Sequence, residues 1–275
     1  METVGFFGGD ARMAYLARLL SEDGYAVRSW CLPGAPNEET PSGTLGADRI
    51  VLPVPLCREG KLTGTKLPVD ELWTRLRRET PVYAGAIPKD EQARARQLGL
   101  RLTDYYDDEV LLIQNAAITA QGAVMAAMEQ MDETLCGAPC LVLGFGRIGK
   151  LLARSLAALS ARVTVSARSA GDLAWIEALG YTPLPFPALS GALGGFRAVL
   201  NTVPHPVLGG AELEELRRDC VLIELASADG MDAAAAGKLG LRYRRASGLP
   251  GRTAPETAAR ALRGALYRIW KEEDA

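Results

Sequence analysis

Short apolar runs alternate with stretches whose apolar positions recur every three to four residues, and the alternation repeats along the chain. Residues 4–7 predict a strand, 14–20 a helix and 25–30 a second strand. Residues 33–41 are polar and rich in Pro and Gly, so they predict loop. Residues 49–52 predict a strand that ends at Pro53-Val54-Pro55, and 56–67 have loop chemistry again. Helix over 69–77, strand over 82–84, helix over 89–97 and strand over 100–103 follow. Repeated βα units imply a parallel sheet with helices on both faces.

Residues 115–131 break this rhythm. They are rich in Ala and Met, keep helical spacing throughout and are apolar on most faces. Such a helix is expected to be buried on most sides, and between two βα blocks it reads as an interdomain helix. The second block supplies strands at 162–167, 198–201, 221–225 and 241–243. Residues 255–271 predict a long helix with apolar positions at Ala258, Ala261, Leu262, Ala265, Leu266 and Ile269. It starts at Thr253-Ala254-Pro255-Glu256, with Pro at an early helical position, and is expected to cross back onto the first domain. The expected fold class is α/β, with two Rossmann-like doubly wound domains on parallel sheets. The first covers 1–134 plus 253–275 and the second 135–252. Apart from Ala233 to Ala236 there is no low-complexity tract, and no repeat of fixed period.

The second block opens with the most specific signal in the chain. The apolar run Leu141-Val142-Leu143 is followed by Gly144-Phe145-Gly146-Arg147-Ile148-Gly149, and residues 150–159 continue as helix. A G-x-G-x-x-G spacing alone is weak; between a strand and a helix, with another strand after it, the spacing points to a dinucleotide site. Gly144 would allow a tight turn, Gly146 the approach of a pyrophosphate to the backbone, and Gly149 close packing of helix on strand. The free N–H groups at the helix start would carry the phosphate charge. The bland alternative is a glycine-rich turn without a ligand. The next strand ends Ser166-Ala167-Arg168-Ser169, with no carboxylate for a ribose 2′-OH. Arg168 could instead pair with a 2′-phosphate, and Ser166 and Ser169 could add hydroxyl bonds. That favours NADP, with NAD as the alternative; Arg168 can equally be read as a solvated arginine at a strand end.

Composition narrows the classes. Hydrophobic residues are 48% and charged residues 23% of 275, an ordinary globular balance with room for two cores. The net charge of −2 gives no basic field for nucleic acid. The start has no basic n-region, apolar h-region or cleavage site, and no apolar run is as long as a membrane span, so the expected setting is cytoplasmic. Five cysteines at unpatterned spacing with one histidine argue against a Cys/His metal site and for reduced structural thiols; no metal is expected.

The candidate chemistry lies at predicted strand ends, where open α/β sheets bind ligands. Thr202, Val203 and Pro204 end one strand and are placed to line the nicotinamide end of a cofactor, with a plain turn as the alternative. Ser227 ends the next strand and faces the same crevice. Asp10 and Arg12 follow the first strand of the chain. Arg12 could hold a substrate carboxylate, and Asp10 could orient it or cap the helix. Gly248, Arg252 and Thr253 lie in a rigid Gly/Pro loop, Arg252 being a second candidate anion site. His205 is the only histidine and adjoins the cofactor strand, but a general acid or base must reach the reacting atom. Gln121 is polar in the middle of an apolar helix and could bond substrate or a neighbouring backbone group.

Taken in order, Gly8-Gly9-Asp10-Ala11-Arg12, Gly144 to Gly149, Ala167-Arg168-Ser169, Asn201-Thr202-Val203-Pro204, Glu224-Leu225-Ala226-Ser227 and Gly248-Leu249-Pro250-Gly251 with Ala254-Pro255 resemble the family of the dipicolinate synthase A subunit, over nearly the whole length. The opening Gly-Gly-Asp-Ala-Arg and the closing Gly-Leu-Pro-Gly-x-x-Ala-Pro-x-Thr are the specific parts. The resemblance implies a two-domain architecture similar to the 2-hydroxy-acid dehydrogenases. It also implies NAD(P)-dependent formation of dipicolinate from the dihydrodipicolinate branch of lysine biosynthesis, a role in endospore formation in the mother cell, and, for a partner, the flavoprotein-like B subunit of the synthase. A homo-oligomer is compatible with the sequence. Three positions depart from the family pattern. Ile118-Thr119-Ala120-Gln121-Gly122 stands where the family has Pro-Thr-Ala-Glu-Gly. Ala228-Asp229-Gly230-Met231 shortens the family's Pro-Gly-Gly segment. His205 replaces a small polar residue. Oxidation of a dihydropyridine dicarboxylate aromatises the ring, so it needs proximity and carboxylate recognition more than a strong base. Two other functions fit the same residues: a nucleotide-binding scaffold for the B subunit with little chemistry of its own, and an NADP-dependent dehydrogenase of another keto or imino acid.

Overall fold

The computed structural model describes residues 1–274. In chain order the first elements are β1 (Thr3–Phe7), α1 (Ala11–Glu22), β2 (Ala26–Trp30), α2 (Pro41–Leu45), β3 (Arg49–Val51), β4 (Cys57–Arg58), β5 (Lys61–Leu62), α3 (Val69–Arg75), β6 (Pro81–Ala84), α4 (Lys89–Gln97), β7 (Arg101–Asp104) and α5 (Glu109–Met128). Then come β8 (Pro139–Leu143), α6 (Arg147–Ala158), β9 (Arg162–Ala167), α7 (Ala170–Ala178), β10 (Thr182–Pro185), β11 (Ala198–Asn201), α8 (Gly210–Glu214), β12 (Val221–Glu224), α9 (Ala233–Lys238), β13 (Arg242–Arg245), α10 (Leu249–Thr253) and α11 (Pro255–Glu273). Two compact units result, Met1–Asn115 with Pro250–Ala275, and Ala116–Leu249. The division falls inside α5, whereas the sequence reading drew it after that helix.

The first unit is built on a parallel sheet in the order β2-β1-β3-β6-β7. One face buries Val4, Phe6, Leu16, Leu20 and Tyr83 against Leu262, Leu266 and Trp270 of α11. The other buries Phe7, Ile50, Leu52, Leu72, Trp73 and Val82. The C-terminal helix thus returns to the sheet where the chain began, and packs on α1. Residues 57–67 are not all loop: β4 and β5 form an antiparallel hairpin. Its two-residue turn, Glu59-Gly60, has φ of 51° and 71°, the mirror-image geometry that suits a tight hairpin.

The second unit has the sheet order β10-β9-β8-β11-β12-β13, parallel throughout. Strand order reverses between β8 and β11, where such folds open a ligand crevice. Ala123, Ala127, Val142, Leu152, Leu156 and Val165 fill one face of the sheet, and Leu141, Leu143, Val199, Leu213 and Leu222 the other. The elements α7 and β10 had no periodic signal in the sequence. Pro183 and Pro185 are tolerated in β10 because it is the edge strand. The Ala233 tract is helical, capped by Asp232, whose Oδ1 accepts from Ala235 N at 2.9 Å. The segment read as a rigid Gly/Pro loop is instead the short helix α10, with only Gly248 left in a turn at φ 66°.

Helix α5 departs from expectation twice. It starts six residues earlier than its apolar pattern suggests, because Asp108 accepts from Leu111 N at 2.6 Å and caps it. Within the stretch expected to be helical, residues 116–128 are buried on most sides, as expected, with Gln121, Met125 and Met128 exposed, while Val110 and Ile113 of the earlier turns are exposed too. By length and composition this 20-residue helix would pass as a membrane span, against the reading that no apolar run is long enough; 56% of the qualifying window is buried inside the protein, as in a core helix.

Candidate functional site

The carboxyl end of β8 turns sharply at Gly144, whose N–H donates to Ser166 O at 2.9 Å and whose φ is 97°. A side chain there would be strained and would stand 2.6 Å from Thr202 Oγ1 and 2.9 Å from Val203 Cγ2. Gly149 lies one turn into α6; a Cβ on it would come to 2.1 Å from Gly144 O. Helix and strand therefore meet at backbone distance. Between these two, Gly146 is exposed, and a Cβ there would have nothing within 4 Å. It is the N-cap of the 12-residue α6 and offers no side-chain cap, so the first N–H groups of that helix face outward. Tight turn, open helix start and close packing coincide with the three roles a dinucleotide site needs, and the cradle fits a pyrophosphate. Of the other residues in the turn, Phe145 is buried in the core with Lys150 Nζ 5.3 Å from its ring centroid, Ile148 is half-buried, and Arg147 is exposed.

The end of β9 agrees only in part with the sequence reading. Arg168 is exposed, and its guanidinium has no hydrogen bond or ion pair among the described residues. Ser166, expected to reach the ligand, is fully buried, and its hydroxyl has no partner among the described residues. Strand alternation turns it inward. Ser169 is committed as well: its Oγ accepts from Asp172 N at 3.0 Å and donates to Asp172 Oδ2 at 2.8 Å, capping α7. Neither serine is available as a free hydroxyl beside Arg168.

The ends of β11 and β12 carry the group that residue-level reading passed over. Asn201 and Glu224 are each 0% exposed. Asn201 Nδ2 donates to Glu224 Oε1 at 2.8 Å and Oε2 at 3.0 Å, and to Val203 O at 3.0 Å. Asn201 Oδ1 accepts from Val203 N at 3.0 Å. Glu224 also accepts from the backbone of Ala226 (3.0 Å), Gly230 (3.0 Å) and Met231 (3.2 Å). A buried carboxylate is costly unless its lone pairs are filled, and here N–H donors fill them. The sequence signal was a polar residue closing each of two apolar strands. Above these bonds, Thr202 Oγ1 donates to Leu143 O at 2.8 Å, so Thr202 and Val203 stand against the glycine turn. Pro204, His205 and Ser227 are exposed; Ser227 O accepts from Arg245 Nη2 at 2.9 Å. The His205 ring has no hydrogen-bond partner among the described residues.

Gln121 does not join this group. It is exposed and lines a groove with Val124, Met125, Met128, Ser155 and Leu159. Ser155 is nine residues beyond Gly146, roughly 13 Å along the helix at 1.5 Å per residue, so Gln121 sits by the far half of α6.

In the first unit the turn after β1 looks similar in sequence but is filled by the chain itself. A Cβ on Gly8 would meet Thr63 O at 2.5 Å, and Gly9 N–H donates to Thr63 O at 2.8 Å. The hairpin loop therefore occupies the place a ligand phosphate would take. Arg12 is buried and held: Nη2 is 2.8 Å from Asp10 Oδ2 and 2.8 Å from Val54 O, and Nε bonds Asp10 as well. Burial works against its charge, and the bonds and charge of Asp10 outweigh this, raising its pKa. Asp10 also caps α1 through Arg12 N at 3.0 Å. The idea that Arg12 offers a free fork to substrate is thereby corrected: the fork is engaged. Arg252 is exposed with no partner among the described residues, and Thr253 is half-buried. Cys140 and Cys220 are buried thiols, pushed up to about 11 and about 12 by that burial, and play no part in either turn. No group of three or more His, Cys, Asp or Glu side chains converges on a metal-sized site among the described residues.

Comparison with known proteins gives this geometry a context. Residues 3–106 match the family model for the N-terminal domain of the dipicolinate synthase A subunit. The dipicolinate synthase A subunit of Bacillus subtilis (strain 168) is 29% identical over 289 residues, covering 99% of this chain and 97% of that protein. The crystal structure of the dipicolinate synthase A subunit from Bacillus halodurans superposes with a TM-score of 0.87 at 29% identity, covering 98% of this chain and 97% of that one. An L-alanine dehydrogenase shares the fold at a TM-score of 0.68 and 14% identity, over 96% of this chain and 88% of that one. With a dehydrogenase-like fold and matches at both levels, the chain is similar over nearly its whole length to dipicolinate synthase A subunits, and its residues 3–106 match the N-terminal domain of that family.

Proposed function

We propose that the chain is an NADP-dependent oxidoreductase that converts dihydrodipicolinate to dipicolinate as the A subunit of a two-component synthase. The observation that carries the cofactor part is the open start of α6 at Gly146, framed by glycines at the two points of closest backbone approach. A bound nicotinamide supplies the hydride acceptor. The backbone of residues 144–149 would hold the pyrophosphate, and Arg168, solvated at the end of β9, would pair with a 2′-phosphate. Thr202 and Val203, held against the glycine turn, would line the nicotinamide end. Arg252 is the remaining uncommitted arginine among the substrate candidates, and it would recognise a carboxylate together with backbone N–H groups. The oxidation removes one hydrogen as hydride and one as a proton, and formation of the aromatic ring drives it. No dedicated strong base is required, in keeping with a chain that has one histidine. In this reading the protein works in the cytoplasm of the mother cell of a spore former, beside a flavoprotein-like B subunit.

The engaged Arg12 and the self-filled turn in the first unit favour one second reading, a nucleotide-binding scaffold for the B subunit with little chemistry of its own. The test supplies 4-hydroxy-tetrahydrodipicolinate and NADP to each component separately and to the two together, and follows dipicolinate in the ultraviolet. Dipicolinate and NADPH appearing together with this chain alone, or only when it is added to the B subunit, support the oxidoreductase. Dipicolinate formed by the B subunit with no NADP turnover supports the scaffold. Turnover of NADP with another imino or keto acid, and none with this one, would name a different dehydrogenase.

A further inference from the structure

We infer that Asn201 and Glu224 form a positioning lock for the nicotinamide end of the cofactor site, an inference that rests on the cofactor reading above. The pair lies at the last residues of β11 and β12, which pair in register. It ties two loops at once. Asn201 holds Val203 by both its N–H and its carbonyl, and Glu224 holds Ala226, Gly230 and Met231. Gly230 closes the knot: its carbonyl accepts from Val207 N at 2.7 Å and Leu208 N at 3.0 Å, and any Cβ on it would be 2.2 Å from Asn201 Nδ2. A short relay therefore runs from Glu224 through Asn201 to Val203, and Val203 touches the glycine turn that would carry the pyrophosphate.

Burial distinguishes this arrangement from an ordinary turn. Both side chains are wholly buried, while Pro204, His205, Ser227 and Asp229 on the same two loops face solvent. No lysine, arginine or histidine is ion-paired with Glu224 among the described residues, and its two oxygens accept from oriented N–H groups of Asn201, Ala226, Gly230 and Met231. Such a carboxylate fixes the direction of every donor around it, because moving one leaves a buried lone pair bare. Neither residue is positioned to touch a ligand. Both act through the loops, which makes them positioning residues and not catalytic ones.

The test uses the full chain and two ligands that share a pyrophosphate: NADPH, and 2′-phospho-ADP-ribose, which lacks nicotinamide. NADH and ADP-ribose form the parallel pair. In Glu224→Gln one acceptor oxygen becomes an NH2 aimed at N–H donors. It is expected to weaken NADPH binding about tenfold and to remove the nicotinamide fluorescence enhancement, with 2′-phospho-ADP-ribose affinity changing less than about twofold. Asn201→Asp with Glu224→Gln reverses the pair and is expected to recover part of that loss. Equal weakening toward both ligands, or none, overturns the lock. Because a buried change can prevent folding, the same question is put to the native protein by hydrogen exchange. The amides of Ala226, Gly230 and Met231 are expected to slow further with NADPH than with 2′-phospho-ADP-ribose, and equal exchange overturns the proposal. If the native chain binds none of the four ligands, the cofactor reading fails and the lock with it; binding without a nicotinamide-dependent response sinks the lock alone.

Discussion

Gly146 and Gly149 are three residues apart and carry the same residue type, yet the structure gives them opposite surroundings. A side chain on Gly146 would enter open space, whereas one on Gly149 would overlap Gly144 O. Gly146→Val is therefore expected to leave the thermal midpoint close to that of the parent and abolish NADPH binding, because the valine fills the space of the pyrophosphate. Gly149→Ala is expected to destabilise the protein by about 1–3 kcal/mol, the usual cost of overpacking, whatever its effect on binding. Melting curves and fluorescence titrations of the two variants check both; a destabilised Gly146→Val that still binds would refute the assignment. Arg168 gives the second prediction at this scale. Its replacement by Asp exchanges a charge-assisted pair for repulsion, so NADPH affinity is expected to fall about tenfold or more relative to NADH. Equal affinities of the parent protein for the two cofactors in calorimetry would reject NADP. Residue identity was legible where chemistry needs a particular side chain or none, as at Gly144, Gly146 and Gly149. It was misleading for Ser166, which is fully buried, and for Ser169 and Arg12, whose partners lie along the next helix turn and, at Val54, far off in sequence.

At the scale of elements, strands bounded by Gly or Pro and helices with a clear apolar stripe were readable, as at β1, β11 and α11. Elements with little periodicity of their own were not: β10 survives with two prolines because it is an edge, and α10 because it is only five residues long. The start of α5 was missed because its signal is a cap and not an apolar position. Asp108 caps that helix and also binds Arg268 of α11 in a bidentate pair, Nε to Oδ2 at 2.7 Å and Nη2 to Oδ1 at 2.9 Å. Its pKa is lowered, first by the Arg268 hydrogen bond and against the effect of burial. A carboxylate depressed in the folded state adds stability that is complete above its unfolded pKa, about 3.9, and that is lost as pH falls through the folded value. Asp108→Asn keeps a good cap and removes the charge. Because the pair is partly solvated, it is expected to cost about 1 kcal/mol at pH 7 and pH 5. The difference from the parent should shrink below pH 4. Urea titrations at the three pH values decide it, and a gap that widens in acid would contradict the assignment.

At the scale of the whole molecule, one unit is assembled from both ends of the chain, and this shapes what a mutation does. The βα rhythm made two sheets legible, and the apolar stripe of the last helix showed that it must be covered. Where the boundary falls was not legible, since α5 runs through it without a break in composition. The bond from Gly9 N–H to Thr63 O was hidden too, because it joins a turn to the loop after a hairpin more than 50 residues away. Leu266 of α11 is fully buried among residues of α1 and the first sheet. Leu266→Ala is expected to cost about 2–5 kcal/mol through lost contacts and an unfilled cavity. Three of the four tryptophans, Trp30, Trp73 and Trp270, belong to the first unit, and the fourth, Trp175, is 64% exposed and so changes little on unfolding. Intrinsic fluorescence consequently reports chiefly the first unit, although the mutated residue lies near the end of the chain. The urea midpoint followed by fluorescence should drop sharply for Leu266→Ala. The proposed cofactor site draws only on residues of the second unit, so NADPH affinity should be kept in dilute buffer as long as the variant remains folded. A fluorescence midpoint left unchanged would mean that α11 adds nothing to the first core. Loss of NADPH binding by the folded variant would place the cofactor on residues other than the glycine turn of the second unit.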